Sequence, residues 1–359
     1  MIRNFLRNVG RLLVAPLALT LILCAVETGL RVESSLHPRP APQSNSLSVI
    51  VRPSETSYRE IVPLLDTESS PEQPGLQTSE WGTRGPSPES PKPAGTVRVL
   101  CLGGEETFAA QLAEEATFCH ALEELLQQRT GQKVEVINAG CPQSGPLGNL
   151  LRLRMLVALQ PDIVIFTLQA GELGYDAPVR ASLRLDESGF PAFSPNPAIA
   201  GGSHPLVRLR RDFATVDLIA TALLPTIAPE SFSPESRTGD ELLPQTLSQL
   251  QALAKSHLAN CEIVLLPDVW DLEPSRQDQR DQAAQELRDR ISPAVEKGEL
   301  NVVDALPLYR NQPDLRKLFS RQGTLNADGQ RLYAEFLAQT LTRQFPSLLS
   351  LAETHTRPN

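Results

Sequence analysis

Chemistry is first suggested by the stretch Val97 to Phe108, VRVLCLGGEETF. Val97, Val99, Leu100 and Cys101 form a short apolar, β-branched run that predicts a strand. Gly103 and Gly104 end it, Glu105 and Glu106 follow, and Ala109, Ala110 and Leu112 continue as a predicted helix. A strand, a tight glycine turn and a helix start make the first βα unit of an open α/β sheet. Such sheets bind ligands at the carboxyl ends of their strands. Residue 105 is therefore expected in any site. A carboxylate there could move protons, ligate a metal, or rest on unpaired helix amides.

Other candidates are sparser. Asp268 and Trp270 follow a predicted fourth strand on the same edge, where Asp268 also suits a helix cap. Arg208, Arg210 and Arg211 form a basic cluster, either a solvated face or a contact for phosphate or an anionic glycan. The histidines at 37, 120, 204, 257 and 355 lack metal-ligand spacing. Gly103-Gly104 lacks the Gly-Lys-Ser/Thr of a phosphate loop, and no Gly-x-Ser-x-Gly elbow occurs. No metal and no cofactor is expected. No Cys-x-x-Cys appears. Outside the first apolar run, Cys101, Cys119, Cys141 and Cys261 remain, and four cysteines allow three pairings. Buried free thiols are the plainer expectation.

The elements that must position Glu105 follow in order. Phe118 to Gln128 is an amphipathic helix stopped by Gly131. Lys133 to Asn138 is a second strand, Leu150 to Leu159 a helix, and Asp162 to Leu168 a third strand, apolar throughout and so buried on both faces. Tyr175 to Pro205 breaks the alternation and holds a small hairpin, Leu183–Leu185 with Phe190–Phe193. Helices over 206–224, 241–258 and 276–291 surround strands at 262–266 and 301–304. A last helix spans Ala327 to Phe345, with Leu332, Phe336 and Leu341 inward. The βαβαβ series predicts a doubly wound parallel sheet.

Four segments are expected. Residues 1–34 carry Arg3, Arg7 and Arg11 before the uncharged run Leu12 to Val26, giving a membrane anchor, or alternatively a signal segment. Arginines on that side predict a cytoplasmic N-terminus and an exported remainder. Residues 35–95 hold 11 of the 31 prolines and are expected to stay extended as a stalk, with the apolar islands Leu47 to Val51 and Ile61 to Leu65 able to dock on the domain as edge segments. The domain spans 96–348, and 349–359 is a polar tail. A net charge of −9 argues against a nucleic-acid partner.

The blocks VRVLCLGGEETF, VEVINAGCPQSG, PDIVIFTLQAGEL and GTLNADGQRLYAEFLAQTL, in that order, resemble the SGNH, or GDSL, hydrolase family. The resemblance covers about residues 80–345 and extends to Arg84-Gly85-Pro86, as in a membrane-anchored subgroup. It implies a flavodoxin-like three-layer α/β/α sandwich with a five-stranded parallel sheet. Family members are esterases acting on lipid or carbohydrate esters. Their chemistry needs a serine nucleophile, a histidine base oriented by an aspartate three residues earlier, and a glycine amide with an asparagine as oxyanion hole. By the resemblance the serine position falls on Glu105, after Gly104. The oxyanion glycine falls on Gln143, and the Asn-Asp pair on Gly171 and Glu172. The Asp-x-x-His falls on Arg321 and Thr324. The family's serine chemistry is thus replaced throughout.

In the family's strand order Glu105 and Glu172 reach adjacent strand ends, and the loop of Arg321 faces them. Three outcomes follow: a Glu105–Arg321 pair that fills the old site, solvated acids in an open cleft, or acid–base or metal chemistry by Glu105, Glu172 and Asp268. Gly104, Glu105, Glu172, Asp268 and Arg321 are the ligand-binding candidates. The expected protein is a membrane-anchored pseudoenzyme binding an envelope carbohydrate or ester, or a protein partner. The alternative is an ester hydrolase of altered mechanism using Glu105 and Glu172.

Overall fold

The structure is a computed structural model that describes residues 47–68, 74–200, 242–267, 277–320 and 323–349. Five parallel strands form the central sheet: β1 (Thr96–Leu102), β2 (Lys133–Asn138), β3 (Ile163–Leu168), β4 (Asn260–Leu265) and β5 (Val302–Asp304). Their order is β2-β1-β3-β4-β5. This is the flavodoxin-like order, with its switch point between β1 and β3. Helices α1 (Phe118–Thr130), α2 (Pro146–Leu156), α3 (Leu243–Ser256), α4 (Gln277–Glu296) and α5 (Ala327–Gln344) complete the main elements.

Strand alternation explains the three layers. On β1, Leu100 and Leu102 face α2 and α3, while Val99 and Cys101 face α1 and α5. All six residues of β3 are buried, as a strand covered on both faces must be. Gly131 ends α1 in the left-handed conformation (φ 67°) with its N–H on the Gln127 carbonyl. The hairpin of the insertion is present as Arg184–Leu185 against Pro191–Phe193.

Four expectations are corrected. The helix after Gly104 is a single turn, Glu105–Phe108, because Ala109 takes a left-handed conformation (φ 50°, ψ 50°) and stops it. The second helix starts earlier, at Pro146, a residue suited to a first helical position. The inward face of α5 is Tyr333, Ala334, Leu337, Ala338 and Leu341; Leu332 and Phe336 flank it, half-buried. Finally, the described part of 35–95 is packed rather than extended. Ile50, Ile61 and Leu76 are buried in a small core with Phe108 and Cys141. Ile50 ends the short helix Leu47–Ile50, Ile61 ends the hairpin of Val51–Pro53 against Arg59–Ile61, and Leu76 opens the strand Leu76–Gln77. The packed body therefore begins by residue 47 rather than 96.

The compact unit holding this body is Ser44–Asn196 with Glu235–Asn359. The second unit, Met1–Gln43 with Pro197–Pro234, is described only over the short helix Pro197–Ala200. The expected membrane segment, Arg208, Arg210, Arg211 and the last ten residues lie outside the described residues. Among the described residues no helix is long and apolar enough to cross a membrane.

Candidate functional site

Three sides hold the turn after β1. From β2, Asn138 Nδ2 donates to the Thr107 carbonyl at 2.7 Å, and the Cys141 N–H donates to the Gly103 carbonyl at 2.8 Å. Gly140 lies so close to the Phe108 backbone that a Cβ would overlap it. From the N-terminal segment, the buried Arg84 guanidinium donates to the carbonyls of Phe108, Ala109 and Leu112. The third side is the turn's own next residue, Glu106.

Glu105 and Glu106 divide the turn between solvent and interior. Glu105 is exposed, and Glu106 is buried. Both Glu106 carboxylate oxygens accept the Leu325 N–H at 3.1 Å. Gln330 Nε2 donates to the Glu106 carbonyl at 3.0 Å, and Gln330 Oε1 accepts the Phe118 N–H at 2.8 Å. Glu106 and Gln330 thus tie the first turn to the last loop and to α5. Partial burial raises the Glu105 carboxyl above its ordinary value, but its exposure leaves the charge screened by solvent.

The turn after β3 brings a second acid. β1 and β3 pair in parallel with Leu102 opposite Phe166, so their following turns are neighbours. Glu172 is buried and closes a capping box with Gln169, its Oε2 accepting the Gln169 N–H at 3.4 Å. Its carboxylate lies against Gly104, where a Cβ would overlap it. Gly104, Glu105 and Glu172 are therefore gathered at the switch point. Gly171 sits exposed in the same turn and offers no side chain.

Gln143 carries a backbone signal. Its φ is +59°, a left-handed conformation that glycine takes without the steric cost a side chain brings. Its carbonyl accepts from Arg59 Nη1 at 2.8 Å. Thr324 lies one residue before Leu325, so its loop meets the turn of Glu105. Its hydroxyl pairs with Ser320 Oγ at 2.9 Å. Asp268 and Arg321 lie outside the described residues, and so does the expected Glu105–Arg321 pair.

Glu106, Asp176 and Arg59 were not anticipated. Asp176 is buried and accepts the Leu147 and Gly148 N–H groups at 2.8 and 3.3 Å, capping α2 from another element. Burial pushes its carboxyl up to about 6, against the lowering effect of those bonds and of Arg180. Adjacent acids in a turn, Glu105-Glu106, were the one available signal; nothing local marks Asp176 or Arg59.

A hydroxyl nucleophile needs a base beside it. Ser320 and Thr324 have each other's hydroxyls at this edge. Ser256 and His257 do meet, at 3.1 Å, but they end α3 at the opposite edge of the sheet. Among the described residues no group of three His, Cys, Asp or Glu side chains is placed to hold a metal ion.

The strand order and the helices on both faces define a flavodoxin-like α/β/α sandwich. Among solved structures the chain is similar to the esterase EstA from Pseudoalteromonas sp. (13% identity, 69% of this chain and 97% of that chain, TM-score 0.40). It is also similar to a member of the lipolytic G-D-S-L family from Veillonella parvula (12%, 69% and 99%, TM-score 0.40). A third is Est24, a carbohydrate acetylesterase from Sinorhizobium meliloti (12%, 69% and 100%, TM-score 0.38). No family model matches the chain, and no curated protein does.

Proposed function

We propose that this chain is a membrane-anchored, exported pseudoenzyme of SGNH-hydrolase type, whose strand-end cleft binds an O-acetylated carbohydrate without cleaving it. One observation carries the reading. At the positions the resemblance assigns to the nucleophile, oxyanion hole and base stand Glu105, Gln143, Gly171 and Thr324. Glu106 and Glu172 fill the space behind them with structural hydrogen bonds. Exposed Glu105 at the turn is left to meet ligand hydroxyls. The anchor rests on the sequence of residues 1–34 alone.

A second reading, ester hydrolysis with Glu105 as base, is favoured by its raised carboxyl. Aryl acetate hydrolysis by the full chain separates the two. The expected result is no release above buffer, with the wild type and Glu105→Ala alike. Turnover by the wild type that disappears in Glu105→Ala would overturn the non-catalytic reading.

A further inference from the structure

The arginines near the β2–α2 loop differ in what they hold. Buried Arg84 donates to three backbone carbonyls, and buried Arg152 donates to those of Gly82 and Ala139. Arg180 faces the carboxylate of Asp176. Arg59 has no such set of partners. It is half-buried, opens the second strand of the N-terminal hairpin, and forms no ion pair among the described residues. The acid beside it, Glu60, points to the other face of the strand and pairs with Arg52 at 2.7 Å. Arg59 Nη1 donates to the Gln143 carbonyl at 2.8 Å. The Nε–Nη2 side of the guanidinium has no protein partner among the described residues and is not sealed from solvent.

The backbone fixes this guanidinium in place. Tyr58 is left-handed (φ 66°), a strained conformation for a residue with a side chain. Its carbonyl accepts the Ser54 N–H at 3.0 Å and Asn196 Nδ2 at 2.9 Å, and Ser57 Oγ donates to the Arg59 carbonyl at 2.8 Å. The Tyr58 ring then lies against the guanidinium, with its centroid 5.4 Å from Cζ. Gln143, at the other end of the contact, stands between the two acid turns. Two residues before it the Cys141 N–H holds the Gly103 carbonyl, and two residues after it Gly145 lies against the Glu172 carbonyl.

We infer that Arg59 is a specificity-determining residue of the cleft, and that the O-acetylated carbohydrate bound there carries a carboxylate, as a hexuronate does. The inference rests on the carbohydrate-binding reading proposed above. The two parallel N–H groups on the Nε–Nη2 side match the two oxygens of a carboxylate. A multiply charged group such as a phosphate monoester fits less well, because exposed Glu105 stands at the same edge and the chain's net charge is −9. The N-terminal hairpin thus supplies a side chain to the site as well as a small core.

The test titrates the full chain, by calorimetry, with an O-acetylated trisaccharide containing one hexuronate and with the same trisaccharide after reduction of its carboxyl to an alcohol. The wild type should bind the acidic form about tenfold more tightly. Arg59→Gln removes the charge and keeps an amide donor for the Gln143 carbonyl. It should weaken the acidic ligand about tenfold and leave the neutral one within about twofold. Equal wild-type affinity for the two ligands would overturn the role of Arg59 while leaving a carbohydrate-binding cleft. Equal weakening of both ligands by Arg59→Gln would mean that Arg59 only holds the loop, and would also overturn it. Binding of neither ligand by the wild type would overturn the carbohydrate-binding reading itself, and this inference with it.

Discussion

The turns after β1 and β3 both present an acid at the same edge of the sheet, yet they use it in opposite ways. Glu105 stands in solvent, while Glu172 is buried as half of a capping box against Gly104. Glu106, beside Glu105, behaves like Glu172: its carboxylate is spent on the Leu325 amide. A carboxylate at a strand end is thus no mark of chemistry by itself. What separates a ligand-facing acid from a structural one is whether backbone amides already hold it.

The contrast depends first on the backbone that carries the turns. Gly140→Ala would drive a Cβ into the Phe108 backbone, which cannot step aside as a side chain could. Urea unfolding should show a loss of about 3 kcal/mol. A loss under about 1 kcal/mol would mean the turn is not held from β2.

Asp176 extends the comparison to pH. Its folded value of about 6 lies above the ordinary 3.8, so the folded chain binds more protons than the unfolded chain between those values. Stability should fall by about 2–3 kcal/mol as pH rises from about 4 to 6, and should level off above that. Asp176→Asn should flatten this slope. A slope unchanged in the variant would remove Asp176 as its source.

Glu106→Ala removes a carboxylate that the Leu325 amide needs. Chemical unfolding should report a loss of about 2 kcal/mol. Gly104→Ala should cost about 1–2 kcal/mol through its overlap with Glu172, a side chain that can shift. Combining it with Glu172→Ala should recover part of that cost. Strict additivity in the cycle would show that the two do not touch. Glu105→Gln should change stability by less than about 0.5 kcal/mol, as for any exposed site without partners in the core. A loss as large as that of Glu106→Ala would erase the distinction between the two neighbours.

Much of this architecture was legible beforehand. β2 and β3 were expected within one residue, because β-branched runs bounded by Gly, Pro and Asn are strong local signals. The position of Glu105 followed from the strand–glycine–glycine turn. The N-terminal segment was legible only as two apolar islands, Leu47 to Val51 and Ile61 to Leu65, in a stretch otherwise expected to stay extended. The segment buries only a few apolar residues, among them Ile50, Ile61 and Leu76, among many prolines and serines, and their partners Phe108 and Cys141 lie far along the chain. The roles of Glu106 and Asp176 were hidden for the same reason. Each is defined by a backbone amide contributed from another element, Leu325 in one case and Leu147 in the other. Gln143 is intermediate: the resemblance put a glycine there, and its left-handed backbone keeps that conformation without the residue type.

The most direct test mixes the full chain with an O-acetylated oligosaccharide and follows the acetyl methyl resonances by proton NMR. Broadening of those resonances that weakens in Glu105→Ala, with no growth of the free acetate signal over hours, is the expected result. Free acetate rising at a rate proportional to protein concentration would contradict a cleft that binds without cleaving.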